Sequence, residues 1–163
     1  MSQEPLPTMV AIHDSREHRV WVYFVDKGRN IRWYKGPRDD GPERQASTMP
    51  YDSPRELIEL FSPERGNGAA ETRVFYVNEE SKLQEACWTE GFNNDKWYPG
   101  ALSNVEDNGY DVEPRSVLTA TVFNHYMRVF YQHKNENAPC VAWGESRERG
   151  DETWTSKTAV SFN

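Results

Sequence analysis

Three stretches of this sequence match one another: Trp21-Val22-Tyr23-Phe24, Arg73-Val74-Phe75-Tyr76 and Arg128-Val129-Phe130-Tyr131. Each stretch is rich in β-branched and aromatic residues, a composition that favours a buried strand. A short apolar segment precedes each stretch, and a polar turn and a further strand-like segment follow it. Successive stretches lie roughly 50 residues apart, a spacing in the upper range for four-stranded propeller blades. The repeats therefore predict an all-β propeller protein with three blades of four antiparallel strands in this chain.

The predicted blades cover residues 8–52, 55–104 and 115–163 of one three-bladed unit. The second and third repeats share a last strand, around Trp97 and Trp154, whereas the first repeat has a polar stretch in that place. We interpret the polar stretch as a modified outer strand or an inserted loop. Three blades cannot close a ring, and open sheet edges tend to pair with another chain. Two copies would complete a six-bladed ring, so the sequence predicts a homodimer.

One local signal disagrees with an all-β fold. Ser53-Pro54-Arg55-Glu56 is a capping box with proline at the first helical position, and several apolar residues follow it. Taken alone, this pattern predicts a helix. The alignment with the other repeats predicts instead the innermost strand of the second blade, at residues 57–61. We favour the strand, with a helical turn ahead of it as an option.

The composition limits the classes of partner. A net charge of −7 argues against nucleic acid, because phosphate binding needs a basic surface. No segment approaches the roughly 20 apolar residues of a membrane span, and the first residues lack the apolar stretch of an export signal. We therefore expect a cytoplasmic protein without membrane insertion, and secretion by a non-classical route stays open. Cys87 and Cys140 are expected as thiols, with a disulfide as the less favoured alternative.

Neither a metal site nor a cofactor is predicted, and no catalytic motif stands out. The four histidines show no spacing with Cys, Asp or Glu that indicates zinc. The sequence contains no phosphate-binding glycine loop and no nucleophile elbow. Carboxylates are numerous enough that counting alone does not exclude a glycosidase pair. Six tryptophans in so polar a chain indicate that some of them line a binding surface.

The second repeat carries a more specific pattern. Thr72-Arg73-Val74-Phe75-Tyr76 is followed by Lys82-Leu83-Gln84-Glu85-Ala86-Cys87-Trp88 and then by Lys96-Trp97-Tyr98-Pro99-Gly100-Ala101-Leu102. This order resembles a blade of the fucose-binding lectins of the Aleuria aurantia type, which are six-bladed β-propellers. The resemblance is strong over the second repeat, weaker over the third and weakest over the first. It implies a non-catalytic lectin that binds L-fucose or fucosylated glycans and glycoconjugates.

The resemblance also implies where the sugar would bind. In that family the site lies between neighbouring blades, where an arginine and a glutamate of one blade hydrogen-bond the sugar. An alanine of the same blade contacts the sugar, and two tryptophans of the next blade cover its apolar face. Transferred to this chain, the second blade supplies three of these residues and the third blade supplies two: Arg73, Glu85, Ala101, Trp143 and Trp154.

The residue types fit this chemistry on physical grounds as well. Sugar hydroxyls both donate and accept hydrogen bonds, so a cation beside a carboxylate satisfies them in a way that neither group does alone. Flat aromatic side chains cover the weakly apolar C–H face of a sugar. We expect Arg73 and Glu85 to be cross-strand neighbours on antiparallel strands. The alternative is an ordinary surface ion pair, worth at most about 1 kcal/mol.

The junction between the first and second blades is predicted to be degenerate. Trp88 and Trp97, which are aligned with the two wall tryptophans, face that junction. The first blade, however, has Trp21 in the place of the arginine and Trp33 in the place of the glutamate. This junction would therefore have aromatic walls without the polar pair that fixes a sugar.

The third blade is predicted to lack a complete site as well. It keeps Arg128, but Cys140 is aligned with the glutamate. We therefore predict one competent site per chain and two per closed ring. The loops at 89–96 and 144–153 are longer than a tight turn and could change which sugar is accepted. A structural or protein-interaction propeller with a relic sugar site is the alternative function.

Overall fold

The computed structural model describes residues 9–14, 19–26, 28, 30–35, 47–48, 56–61, 71–104, 110–114, 116–123, 126–145 and 153–158. Over these residues the chain forms three four-stranded antiparallel sheets, so the predicted all-β fold is confirmed. The helical content of the described part consists of two short 3-10 segments, Asn93–Asp95 and Ala101–Asn104. No helix among the described residues has the length and apolar character needed to cross a bilayer.

In each sheet the strands are adjacent in the order in which they occur along the chain, which is the order of a propeller blade. The first blade consists of β1 (Met9–Asp14), β2 (Arg19–Val25), β3 (Ile31–Lys35) and β4 (Ser47–Thr48). The second blade consists of β5 (Glu56–Phe61), β6 (Glu71–Val77), β7 (Leu83–Thr89) and β8 (Tyr98–Pro99). The third blade consists of β9 (Thr119–Phe123), β10 (Tyr126–Gln132), β11 (Pro139–Glu145) and β12 (Thr153–Thr158).

The strand interpretation of the segment after the capping box is confirmed. β5 runs from Glu56 to Phe61 and pairs with β6, with an irregularity in register between Leu57 and Leu60. Cross-strand pairing therefore outweighs the local helix signal, as tertiary context often does for short segments. Residues 53–55, which carry most of the capping box, lie outside the described residues.

The outer strand of the first blade is present in modified form. β4 is a two-residue strand that pairs with β3 at Arg32 and Trp33. It contains none of the aromatic residues found near the outer strands of the other two blades. Residues 36–46, the first part of the predicted insertion, lie outside the described residues.

The two faces of the second blade pack against different neighbours. Val74, Tyr76 and Ala86 form a buried cluster with Tyr23 and Ile31 of the first blade. The intervening residues Phe75, Val77 and Leu83 form a second cluster with third-blade residues. The third-blade members of that cluster include Val129, Tyr131 and Ala142. Because side chains alternate between the faces of a strand, a strand buried on both sides shows no alternation of polarity. This explains why β6 is apolar on both faces over residues 74–77; its two charged residues, Glu71 and Arg73, are on the face toward the third blade.

The connection between the second and third blades also contributes to their contact. Tyr110 and Val112 are buried in the cluster between these blades. The Asp111 carboxylate lies 3.1 Å from the Lys82 ammonium and 3.0 Å from the Lys134 ammonium, one from each blade. The hydrogen bond from Lys134 and the contact with Lys82 lower the pKa of Asp111. The spacing of the two blades is therefore set by apolar packing and by a shared carboxylate.

Candidate functional site

Arg73 and Glu85 lie on the face of the second blade that is turned toward the third blade. Arg73 and Phe75 are two residues apart on β6, and Glu85 and Leu83 are two residues apart on β7. Phe75 and Leu83 belong to the cluster shared with the third blade. Side chains two residues apart on a strand share a face, so the predicted polar pair is located at the junction of these two blades.

The pair is a close ion pair that is almost completely buried. The Arg73 Nη1 atom lies 2.6 Å from Glu85 Oε1, and the two side chains are 1% and 0% exposed. The ladder places Cys87 directly opposite Arg73 and Phe75 opposite Glu85. Arg73 and Glu85 are therefore diagonal cross-strand neighbours, a separation that long side chains can span. The alternative of an ordinary exposed surface ion pair is wrong for this geometry.

Glu85 is held in place by the segment that follows β8. Its Oε2 atom accepts a hydrogen bond from the Leu102 backbone N–H at 3.1 Å. The Glu85 backbone N–H donates to Ser103 Oγ at 2.7 Å, and the Ser103 hydroxyl donates to the Glu85 carbonyl at 2.8 Å. A Cβ atom at Gly100 would overlap the Glu85 carboxylate. Glycine is therefore required at position 100, which explains the Gly-Ala pair of the sequence motif; Ala101 is half-buried and begins the 3-10 segment.

A third charged residue joins the pair and was not identified from the sequence. The Glu71 side chain is 0% exposed, and its Oε1 atom lies 2.9 Å from Arg73 Nη2. Glu71 is two residues before Arg73 on β6, so the alternation of strand side chains was the available signal. The guanidinium thus lies between two carboxylates, with Nη1 on Glu85 and Nη2 on Glu71.

Two further polar groups lie at the same end of this face. Thr89 is paired with Glu71 in the ladder, and its hydroxyl is 2.7 Å from the Tyr98 hydroxyl. Burial raises the pKa of Tyr98, and the charge of Glu71 contributes in the same direction. Tyr98 is consequently a neutral hydrogen-bonding group at physiological pH.

Trp154 is the aromatic residue that the third blade brings to this junction. Its ring centroid is 5.7 Å from that of Phe75, at an interplanar angle of 76°. The side chain passes over Gly144, where an added Cβ would be 3.0 Å from Trp154 Cδ2. The indole Nε1 is buried and has no hydrogen-bond partner among the described residues. Trp154 therefore lies where the resemblance predicts an aromatic wall.

The prediction that Trp143 is a second aromatic wall of the sugar site is wrong, because the strand register places it on the other face of the third blade. Trp143 is opposite Arg128 in the third blade, as Cys87 is opposite Arg73 in the second. The residue that corresponds to Trp88 is accordingly Gly144. The turn between β10 and β11 is one residue longer than the turn between β6 and β7. A one-residue slip moves a side chain to the other face of a strand, so Trp143 shares a face with Arg128, away from the second blade.

The same register changes the interpretation of Cys140. Val141 is opposite Phe130, just as Glu85 is opposite Phe75, so Val141 occupies the glutamate place in the third blade. Arg128 itself is exposed. Cys87 and Cys140 are both buried thiols, in β7 and β11 respectively.

At the junction of the first and second blades, tryptophans occupy the positions that the polar pair occupies at the junction of the second and third blades. The ladder pairs Tyr23 with Trp33 and Trp21 with Lys35, which matches Trp21 to Arg73 and Trp33 to Glu85. The rings of Trp21 and Trp33 are 5.3 Å apart. The sequence alignment of this junction therefore agrees with the strand register.

The tryptophans of the second blade face this aromatic junction. Trp97 packs on the cluster shared with the first blade, with its ring 6.2 Å from that of Tyr23. The Trp88 indole N–H donates to the Asp95 carbonyl at 3.0 Å, within the long turn after β7. That turn contains the 3-10 segment Asn93–Asp95, whose residues have positive φ.

Several solved structures share this arrangement of blades. AofleA from Arthrobotrys oligospora is 23% identical, with a TM-score of 0.70 over 95% of this chain and 42% of AofleA. The SapL1 lectin in complex with alpha methyl fucoside is 18% identical, with a TM-score of 0.64 over 94% of this chain and 49% of SapL1. A variant of the Aleuria aurantia lectin AAL in complex with Fucalpha1-6GlcNAc is 20% identical, with a TM-score of 0.61 over 96% of this chain and 50% of AAL. Neither a protein-family model nor a curated protein sequence matches the chain.

These similarities define the class of fold. The chain has the β-propeller architecture of the Aleuria aurantia type of lectin, so the resemblance predicted from the second repeat is confirmed at the level of the fold. This chain spans half or less of the length of each of these proteins.

Proposed function

We propose that the protein is a non-catalytic lectin that binds L-fucose or fucosylated glycans at the junction of its second and third blades. The observation that carries this proposal is the buried Arg73–Glu85 pair at 2.6 Å, on the blade face where Trp154 packs against Phe75. The buried Trp154 Nε1 has no acceptor among the described residues, so it is available to donate to a ligand oxygen at this junction. The Trp143 Nε1, on the opposite face of the third blade, also has no acceptor among them.

The four proposed ligand groups have complementary roles. Arg73 donates hydrogen bonds to sugar oxygens, and Glu85 accepts them from sugar hydroxyls. Trp154 provides an aromatic surface for the C–H face of the sugar, and its Nε1 provides a further donor. Ala101 is a small residue beside Glu85 and leaves room for the sugar ring. The solved SapL1 and AAL structures, which contain fucosides, support the choice of sugar.

A second candidate function is a structural or protein-interaction propeller in which the ion pair only joins the blades. The near-complete burial of Arg73 and Glu85 favours it, because a sugar reaches these atoms only if a neighbouring group moves. The two functions differ in one measurable property, which is the binding of a fucoside by the folded protein.

Calorimetric titration with methyl α-L-fucoside tests the proposal. We expect one site per chain and no hydrolysis of the fucoside. Arg73→Lys and Glu85→Gln should each weaken binding about 10- to 100-fold, because each removes a hydrogen bond to a charged group worth about 1.5–3 kcal/mol. Glu80→Gln, in the exposed turn between β6 and β7, is the control. If the folded protein binds no fucoside at millimolar concentration, the lectin proposal is contradicted and the structural or protein-interaction function remains.

We also propose that two copies of the chain close a six-bladed ring. The outer face of the first blade carries Val20, 40% exposed, beside the half-buried Val22 and Phe24. The outer face of the third blade carries Phe130 and the relocated Trp143. Each face is the counterpart of one that is buried between blades elsewhere in the chain, so each would be covered by the other in a closed ring.

Light scattering measures this assembly directly. We expect the mass of two chains at micromolar concentration, because both end faces carry apolar side chains that the partner would cover. Phe130→Glu should shift the mass to one chain, since a carboxylate would then face the first blade of the partner. Asn137→Glu, in the exposed turn between β10 and β11, is the control. A mass of one chain for the folded wild-type protein would contradict the three-plus-three ring.

A further inference from the structure

Glu71 is a buried charged residue that the resemblance does not assign to the sugar site. It begins β6 and shares a strand face with Arg73 and Phe75. Its Oε1 atom lies 2.9 Å from Arg73 Nη2, on the side of the guanidinium opposite to the contact with Glu85. Glu71 therefore contacts the proposed sugar-binding arginine directly, from within the same face of the blade.

The two contacts fix the guanidinium at both of its terminal nitrogens. Nη1 is held by Glu85 and Nη2 by Glu71, so rotation about the bonds of the arginine side chain is restricted. An arginine side chain that is free to rotate loses much conformational entropy when it binds a ligand. A side chain that is already fixed loses less, and the affinity for the ligand is correspondingly higher.

The second carboxylate holds Arg73 more firmly than a neutral group would. Glu71 is 0% exposed, and its hydrogen bond with Nη2 joins two charged groups. Charge-assisted hydrogen bonds of this kind are shorter and roughly twice as strong as neutral ones. A neutral acceptor such as glutamine would satisfy Nη2 but would hold the guanidinium less strongly.

We propose that Glu71 is a positioning residue that holds Arg73 in the orientation in which it donates to the sugar. This inference rests on the proposed lectin function. Thr89 is paired with Glu71 in the ladder, and its hydroxyl is hydrogen-bonded to the Tyr98 hydroxyl, so the Glu71 end of the face contains further polar groups.

The variant Glu71→Gln separates positioning from folding, because glutamine has nearly the same size and replaces the charge-assisted hydrogen bond to Nη2 with a weaker neutral one. We expect the affinity for methyl α-L-fucoside to fall about 10-fold, with a small change in melting temperature. Glu80→Gln, in the exposed turn after β6, should change neither quantity. In an Arg73→Lys background the additional effect of Glu71→Gln should disappear, because the two residues act through one contact.

A nitrogen NMR measurement of the Arg73 guanidinium reports the positioning without any sugar. In the wild-type protein we expect separate Nη1 and Nη2 signals, because rotation is restricted on both sides. In Glu71→Gln the two signals should broaden or merge. Freely rotating Nη groups in the wild-type protein would overturn the inference, even if the variant does not fold.

The two measurements distinguish failure of this inference from failure of the lectin function. If the wild-type protein binds no fucoside, the lectin function fails, and the NMR signals still report whether Glu71 holds Arg73. If the wild-type protein binds fucoside and Glu71→Gln binds it equally well, the inference fails and the lectin function stands.

Discussion

Replacement of Arg73 with alanine is expected to lower the free energy of unfolding by about 3–5 kcal/mol, the usual cost of removing one partner of a buried ion pair. In this protein the variant would leave Glu71 and Glu85, both 0% exposed, without the guanidinium that lies between them. Two buried carboxylates would then face each other across the space of the lost side chain. Urea denaturation followed by tryptophan fluorescence measures the change.

Lys96→Ala is the control for this experiment. Lys96 is also a cationic residue, and it is exposed in the turn after β7. Its replacement should change the free energy of unfolding by no more than about 0.5 kcal/mol, as surface substitutions generally do. Equal stability of the two variants would show that the Arg73 pair is not buried in solution.

The second large effect is expected for Gly100→Ala. The added methyl group would overlap the Glu85 carboxylate, so either Glu85 or the Gly100 backbone must shift. A shift of Glu85 also breaks its contacts with Arg73 Nη1 and the Leu102 N–H. We expect destabilisation of about 3 kcal/mol from overpacking, together with loss of fucoside binding.

A double-mutant cycle identifies the cause of this effect. In a Glu85→Ala background the overlap no longer exists, so Gly100→Ala should cost far less than in the wild-type protein. Thermal or urea unfolding of the four proteins gives the coupling energy. Additive effects would mean that Gly100 is required for its backbone alone, and that the contact with the carboxylate is irrelevant.

Much of the fold could be predicted because the repeats are consistent with one another. The alignment of Trp21 with Arg73 and of Trp33 with Glu85 agrees with the ladders, since the turns between the paired strands have equal length in the first two blades. The strand at Glu56–Phe61 was also predictable, although a local capping signal favoured a helix there. In both cases the repeat supplied the long-range information that local propensity lacks.

The incorrect predictions came from the length of one turn and the direction of one side chain, which a sequence pattern does not report. The turn between β10 and β11 has one more residue than its counterpart, and this moved Trp143 to the outer face of the third blade. Glu71 was missed because strand alternation places it on the same face as Arg73 but does not show that the two side chains are in contact. A single glutamate two residues from an arginine is common on exposed strands, and only burial distinguishes this one.

The sequence by itself determined the repeat, the four-stranded blades and the presence of Arg73, Glu85 and Gly100 in one blade, because strand composition and motif order are properties of the chain. Only the tertiary structure decided that Arg73 is buried between two carboxylates and that Trp154, and not Trp143, lies at the junction of the second and third blades. The physical reason is that burial and facing depend on how two blades pack, and strand register depends on the length of each turn. Those quantities arise from contacts between residues far apart in the chain, so no single stretch of sequence contains them.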